Sequence, residues 1–252
     1  MKIAICISGQ PRNYEEGFYE LKKWFLDRYD CDVYFHTWKD TSNSFVTSHN
    51  FTKTRYYKYT EEDYQNILDL YQPKAYRFQK PINFDDTNII GDLGFTINGI
   101  LSAWYSTQQS IQLALKSETK YDLIIKYRFD LHFSTMVSPE CEFLKDITQF
   151  NPDHFHCFSF GAHDEGNFRP TEIDDLFNVG GPEVMEIYSQ LFSYIIKYCY
   201  LDPNHVQWLI NKVGNDDVYA HEALLRWHLE QNNIYINRVH SLGKHWTAGI
   251  IR

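Results

Sequence analysis

The sequence predicts an α/β protein with a mostly parallel central sheet flanked by helices, and three observations carry that expectation. Lys2 to Ile7, a Gly-Pro loop, an amphipathic run from Tyr14 to Phe25 and the stretch Asp32 to His36 read as strand, tight loop, helix and strand. That order is a βαβ unit, which requires parallel pairing. Second, Tyr121-Asp122-Leu123-Ile124-Ile125-Lys126-Tyr127 is a short run rich in branched apolar residues, the pattern of a strand buried on both faces. Third, strand and helix patterns keep alternating toward the C-terminus.

The elements follow in order. Ser8-Gly9-Gln10-Pro11-Arg12 is the turn after the first strand, punctuated by Gly and Pro. Residues 39 to 59 are polar and aromatic without a period and read as a long loop. Glu61 to Tyr71 is a helix, Lys74 to Phe78 a third strand, and residues 80 to 95, with Pro, Asn, Asp and Gly, a loop. Ile97 to Leu115 is a strong helix with Ile100, Trp104, Ile111 and Leu115 as its buried stripe. Phe155 to Phe160 reads as a strand, followed by a loop over His163-Asp164-Glu165-Gly166-Asn167. The segment Asp174 to Pro182 leads into a helix from Glu183 to about Tyr200, with Pro at its first turn. Asp216 caps a helix running to Glu230, and Ile234 to Val239 is a last strand. No repeat, low-complexity tract or linker divides the chain, so residues 1–252 are expected to form one domain.

The 252 residues suffice to bury a full core without a staple. Lys+Arg 24 against Asp+Glu 33 leaves a net charge of -9, which lacks the electrostatic footprint of a general nucleic-acid binder. The five cysteines are Cys6, Cys31, Cys141, Cys157 and Cys199, odd in number and without a C-x-x-C spacing, so neither a disulfide framework nor a zinc site is expected. A cytosolic location fits this cysteine usage, as does the absence of a signal-peptide pattern and of any bilayer-length apolar run. The glycosylation sequon Asn50-Phe51-Thr52 is then expected to be idle.

Chemistry concentrates at the strand ends. Arg128-Phe129-Asp130 follows the buried strand, and in open α/β sheets ligands bind at the carboxyl ends of strands. An Asp there can hold a hard divalent cation, Mn²⁺ or Mg²⁺, or it can be a turn residue. Ser8, Gly9, Gln10 and Arg12 form a loop suited to close backbone approach and to gripping phosphate; an ordinary βα turn is the alternative. His36 and Trp38 end the second strand and border the same edge, as ligand contacts or as packing. No G-x-G-x-x-G or G-x-x-x-x-G-K-[ST] is present, which excludes a Rossmann fingerprint and a standard P-loop.

These residues also carry a resemblance. Ile3 to Arg12, Asp32-Val33-Tyr34-Phe35-His36-Thr37-Trp38, Tyr121-Asp122-Leu123 with Arg128-Phe129-Asp130, and Asp175-Leu176-Phe177-Asn178-Val179-Gly180 resemble four segments of a group of glycosyltransferases found in bacterial polysaccharide clusters, phages and large DNA viruses. Lys126 stands where that group often has an arginine, and Arg128 takes the place of the first carboxylate of a DxD motif. The resemblance implies a GT-A-like fold, with a nucleotide-sugar-binding half over residues 1–130 and an acceptor-binding half over 131–252. It implies a nucleotide-sugar donor and a glycan or other hydroxyl acceptor. Ser8, Gly9, Gln10, Arg12, His36, Trp38, Asn98, Arg128 and Asp130 are then expected at the donor. A divalent cation is expected on Asp130 and on His245 of a C-terminal tail that also holds His240, Lys244 and Trp246. Asp175 and Glu222 are the candidate catalytic carboxylates, with Asp164, Glu165 and Asp174 behind them. A non-catalytic binding domain of the same fold and a nucleotidyltransferase are the alternative readings.

Overall fold

The computed structural model describes residues 1–49, 53–84, 89–90, 95–133, 146–158, 173, 175–199, 202–213, 221–239 and 249–250. Seven strands build the central sheet: β1 (Lys2–Gly9), β2 (Asp30–Trp38), β3 (Ala75–Gln79), β4 (Leu123–Arg128), β5 (His154–Phe158), β6 (Asn178–Gly180) and β7 (Tyr235–Val239). They lie in the order β7-β5-β6-β4-β1-β2-β3. Neighbours are parallel except where β6 runs antiparallel between β5 and β4. The expected α/β architecture with a mostly parallel sheet is the one observed. Because six strands share a direction, their carboxyl ends form a common edge.

Helices α1 (Tyr14–Leu21), α2 (Glu61–Tyr71), α3 (Ile97–Leu115), α4 (Pro182–Cys199), α5 (Pro203–Val213) and α6 (His221–Gln231) complete the fold. Strand alternation sorts the core into two layers. Ile3, Ile5, Ile7, Phe35, Ile125 and Tyr127 face Leu21 of α1 and Ile67 and Tyr71 of α2. Ala4, Cys6, Tyr34 and Ile124 face Ile111 of α3, Tyr188 and Leu191 of α4 and Leu225 of α6. Cys6 and Cys157 are buried in this second layer.

Helix α2 begins in a capping box: Thr60 Oγ1 accepts from the Asp63 amide at 3.2 Å, and the Asp63 carboxylate accepts from the Thr60 amide at 2.7 Å. Helix α1 lies against the residues after β4 because position 17 is glycine. A Cβ there would stand 1.7 Å from the Phe129 carbonyl oxygen. The amino end of the sheet is closed by Asp32. Its carboxylate accepts from Lys2 Nζ at 2.8 Å, Lys74 Nζ at 2.7 Å and the Tyr121 hydroxyl at 2.6 Å. Burial raises the carboxyl pKa, but the hydrogen bonds outweigh it and bring it down to about 2.

Several elements depart from the sequence expectation. Residues 39 to 59 are not all loop, since Phe45–His49 pairs antiparallel with Lys53–Tyr57. Ile89–Ile90 pairs likewise with Phe95–Thr96 in the second expected loop. The run after Tyr14 splits into α1 and a π-helical turn over Lys22–Leu26. β6 and α5 were not anticipated. The sequon at 50–52, the loop 163–167, the Asp216 cap and the tail residues His240, Lys244, His245 and Trp246 lie outside the described residues. No helix among the described residues is long and apolar enough to cross a membrane.

Candidate functional site

The site is built on the carboxyl ends of β1, β2 and β4. Gly9 ends β1 with φ 103°, a left-handed conformation open to glycine, and so turns the chain across the sheet edge. Three hydrogen bonds fix this turn. The Gly9 amide donates to Ser106 Oγ at 2.9 Å, its carbonyl accepts from Thr37 Oγ1 at 2.7 Å, and the Ser8 and Thr107 hydroxyls lie 3.1 Å apart. β1 is thereby tied to both α3 and β2. Gln10 and Arg12 are delivered over the end of β4.

There Arg12 meets Asp130. Arg12 Nη2 stands 2.8 Å from Asp130 Oδ2, while Arg128 Nε and Nη2 donate to Oδ1 and Oδ2 at 2.9 and 3.1 Å. Asp130 is 1% exposed. Burial alone would raise its pKa, but the two guanidiniums hold the carboxyl below the ordinary carboxylate range, so it is ionised. Two residues before Arg128 on the same strand face, Lys126 is buried and its ammonium donates to the main-chain carbonyl of Asp175. Asp175 precedes β6, which pairs Asn178 with Lys126 and so anchors that carboxylate beside β4.

These groups surround a cavity of about 260 Å³ lined by Ser8, Gly9, Gln10, Arg12, Trp38, Lys126, Arg128, Asp130 and Asp175. Its remaining wall is the first half of α3, from Gly99 to Thr107, together with Tyr188 of α4. Trp38 stacks on Tyr105 with ring centroids 5.6 Å apart and planes inclined by 17°, which fixes the indole at the cavity wall. Two buried polar atoms of the lining, Gln10 Oε1 and Arg12 Nε, have no hydrogen-bond partner among the described residues. An unpaired buried acceptor and donor are costly unless a ligand satisfies them.

The other candidates stand elsewhere. His36 is fully buried beneath the pocket and does not line it; its Nδ1 lies 2.8 Å from Ser106 Oγ and its Nε2 3.2 Å from Gln79 Oε1. Burial pushes its pKa down to about 4, so the ring is neutral. It supports Trp38 and α3 instead of presenting itself to a ligand. Asn98 accepts from the Phe84 amide at 3.0 Å and is absent from the lining, although its neighbour Gly99 is part of it. Glu222 sits in α6, a helix packed on α4 and β7, and is likewise absent from the lining. Asp164, Glu165 and Asp174 lie outside the described residues. Trp104 belongs to the core, as expected, and its edge also borders the cavity; Ser102 and Thr107, for which the sequence suggests no role, line it too. A Lys inside an otherwise apolar run was the visible signal for Lys126.

The donor set does not fit the expected divalent cation at Asp130. A cation needs free carboxylate lone pairs, and both Asp130 oxygens are taken by guanidiniums. Among the described residues no three His, Cys, Asp or Glu side chains gather as a cation site. His245 lies outside those residues, while Gly249–Ile250 returns to pair with Leu131–His132 directly after Asp130.

No family model matches the chain, and no curated protein matches it in sequence. Among solved structures it is similar to mouse xyloside xylosyltransferase 1, at 9% identity and a TM-score of 0.42, over 94% of this chain and 83% of that one. It is also similar to the galactosyltransferase LgtC in complex with donor and acceptor sugar analogs, at 8% identity and 0.40, over 94% and 73%. A Bacillus anthracis structure described as a glucose-1-phosphate thymidylyltransferase with sucrose bound gives 13% identity and 0.41, over 94% and 87%. Likenesses of this depth carry no weight on activity, and the functional reading rests on the pocket itself.

Proposed function

We propose that this chain transfers a sugar from a nucleotide-sugar donor to a hydroxyl acceptor. The observation that carries this reading is the cavity at the carboxyl edge, where Arg12, Arg128 and Lys126 meet Asp130. It supports the reading because segments far apart in sequence, each singled out for its chemistry, supply one wall each. Glycosyl transfer releases a nucleotide whose phosphates gain charge as the glycosidic bond breaks. Fixed cations aimed at that charge lower the barrier. Arg12 and Arg128 would face the phosphates, and Trp38, backed by Tyr105, would offer its indole to a base or sugar ring. Asp175, in the same lining and anchored by β6, would accept the proton that the acceptor hydroxyl sheds. Residues 1–130 would then serve mainly the donor, and residues after 131 the acceptor.

The test is a panel of UDP-, GDP-, CDP-, ADP- and dTDP-sugars, scored by release of nucleotide with and without simple glycoside acceptors and by thermal shift. Stabilisation by one nucleotide class, with release of that nucleotide, is the expected result. Stabilisation without release by any donor would leave a binding domain. A pocket that stabilises with none of them would end the reading.

A further inference from the structure

We infer that the donor's phosphates are held by the paired guanidiniums of Arg12 and Arg128 in place of a divalent cation, with Asp130 as the positioning residue that aims both. The inference rests on the proposed donor reading and specifies how that site binds.

Four observations lead there. Asp130 spends both carboxylate oxygens on guanidinium donors, at 2.8 to 3.1 Å, and is 1% exposed. An incoming divalent ion would have to expel an arginine and then sit beside two fixed positive charges. The residue two positions before Asp130 is Arg128, so the chain supplies a cation where a second carboxylate would be needed to chelate one. Three cationic side chains, Arg12, Lys126 and Arg128, line the cavity against the two carboxylates of Asp130 and Asp175. A surplus of positive charge is thus concentrated there in a chain of net charge -9. Finally, Arg12, a residue of the cavity lining, has a buried Nε–H without a hydrogen-bond partner among the described residues, so its guanidinium keeps an unused donor.

The design is coherent physically. A guanidinium presents a planar fork that matches two phosphate oxygens, but a free Arg side chain must be ordered before it can do so. Asp130 orders two at once, binding one edge of each. The carboxylate is therefore a second-hand contributor: its charge fixes the arginines and has no contact of its own with the donor. The same shared chemistry would suit a nucleoside diphosphate or a nucleoside monophosphate leaving group.

The experiment is isothermal titration of the full chain with UDP, GDP, CDP, ADP, dTDP and CMP, each in EDTA and again in excess Mn²⁺. The expected result is that the nucleotide that binds does so with dissociation constants agreeing within about threefold in the two buffers. Arg12→Gln and Arg128→Gln, each checked for folding by circular dichroism, should weaken binding in EDTA about tenfold or more, the loss of a charge-assisted contact. Asp130→Glu, which keeps the charge, should retain more of the affinity than Asp130→Asn. Binding that appears in Mn²⁺ and vanishes in EDTA would overturn the inference and leave the donor reading standing. Binding indifferent to both arginine changes would also overturn it. Failure of every nucleotide in both buffers would overturn the donor reading together with it.

Discussion

A carboxylate that receives three donors from two guanidiniums is held ionised even though it is buried. Asp130→Asn keeps the shape and removes the charge, leaving Arg12 and Arg128 facing each other uncompensated. Breaking a buried pair from one side costs 3–5 kcal/mol, and because the arginines are 20% and 22% exposed the lower end applies, about 3 kcal/mol. For a chain of this size that is a fall in Tm of roughly 6–12 °C. A melt of the variant that coincides with wild type would show that the cluster is not the anchor described. Asp175 behaves differently. Its side chain is half-buried on the cavity wall, and its main-chain carbonyl accepts from the Lys126 ammonium. If it is the base, Asp175→Asn should lower kcat by about 10²–10⁴-fold, while donor affinity measured by titration stays nearly unchanged. A variant that loses donor affinity with kcat intact would make Asp175 a donor ligand. Asp130 was legible in the sequence as a site residue because it follows a buried strand. Its bond to Arg12 was not, since nothing local says that a loop after residue 9 will arch over the end of a strand starting at residue 123.

At the scale of elements, the contact that presents Asp130 is the crossing of α1 over the end of β4. Gly17 allows it, and no other residue fits without moving the Phe129 backbone. Gly17→Ala should therefore act as an overpacking change, costing about 1–3 kcal/mol, and should also displace the Asp130 carboxylate from its arginines. The expected outcome is a lower Tm together with weaker nucleotide binding. A variant of normal affinity would mean that the loop shifts without carrying Asp130 along. The strands β1, β2 and β4 and helices α2 and α3 were readable because their burial imposes a period or a continuous apolar run. β6 was not, because three residues, Asn178–Gly180, hold too little pattern, and their pairing with β4 is decided by tertiary contact. The pairing of Phe45–His49 with Lys53–Tyr57 was hidden for a related reason: the two strands form a sheet of their own apart from the central one, and the sequence there shows no clear period. Helix α5, Pro203–Val213, does carry an amphipathic pattern after its N-terminal Pro and could have been found.

On the scale of the molecule, the sheet is closed by a titratable group at each end, and the two should be separable by pH. His36 near the carboxyl end is neutral and bonded to Ser106 and Gln79, with a folded pKa of about 4 against an ordinary value of 6.5. The unfolded chain thus binds a proton more readily there. His36 contributes stability above about pH 6.5, and that contribution is lost as pH falls toward 4; at full burial it is on the order of 2–3 kcal/mol. His156 and His228 are also lowered, chiefly by burial, and add to the same window. Asp32 at the amino end has its pKa lowered from 3.8 to about 2, so its contribution is complete above about pH 4 and disappears as pH falls through 2. Asp32 and its partners Lys2 and Lys74 stay partly exposed, and solvent screening limits the effect to on the order of 1–2 kcal/mol. Denaturant melts from pH 8 to pH 2 should accordingly show stability falling in two stages. His36→Gln should remove part of the slope between pH 6.5 and 4 and leave the lower stage intact. Asp32→Asn should remove part of the stage below pH 4, which the lowered carboxyl of Asp130 shares, and leave the upper one. If His36→Gln leaves the upper slope at its wild-type value, the imidazole is not held neutral by the fold, and the support it gives to Trp38 and α3 beneath the pocket would have to come from packing alone.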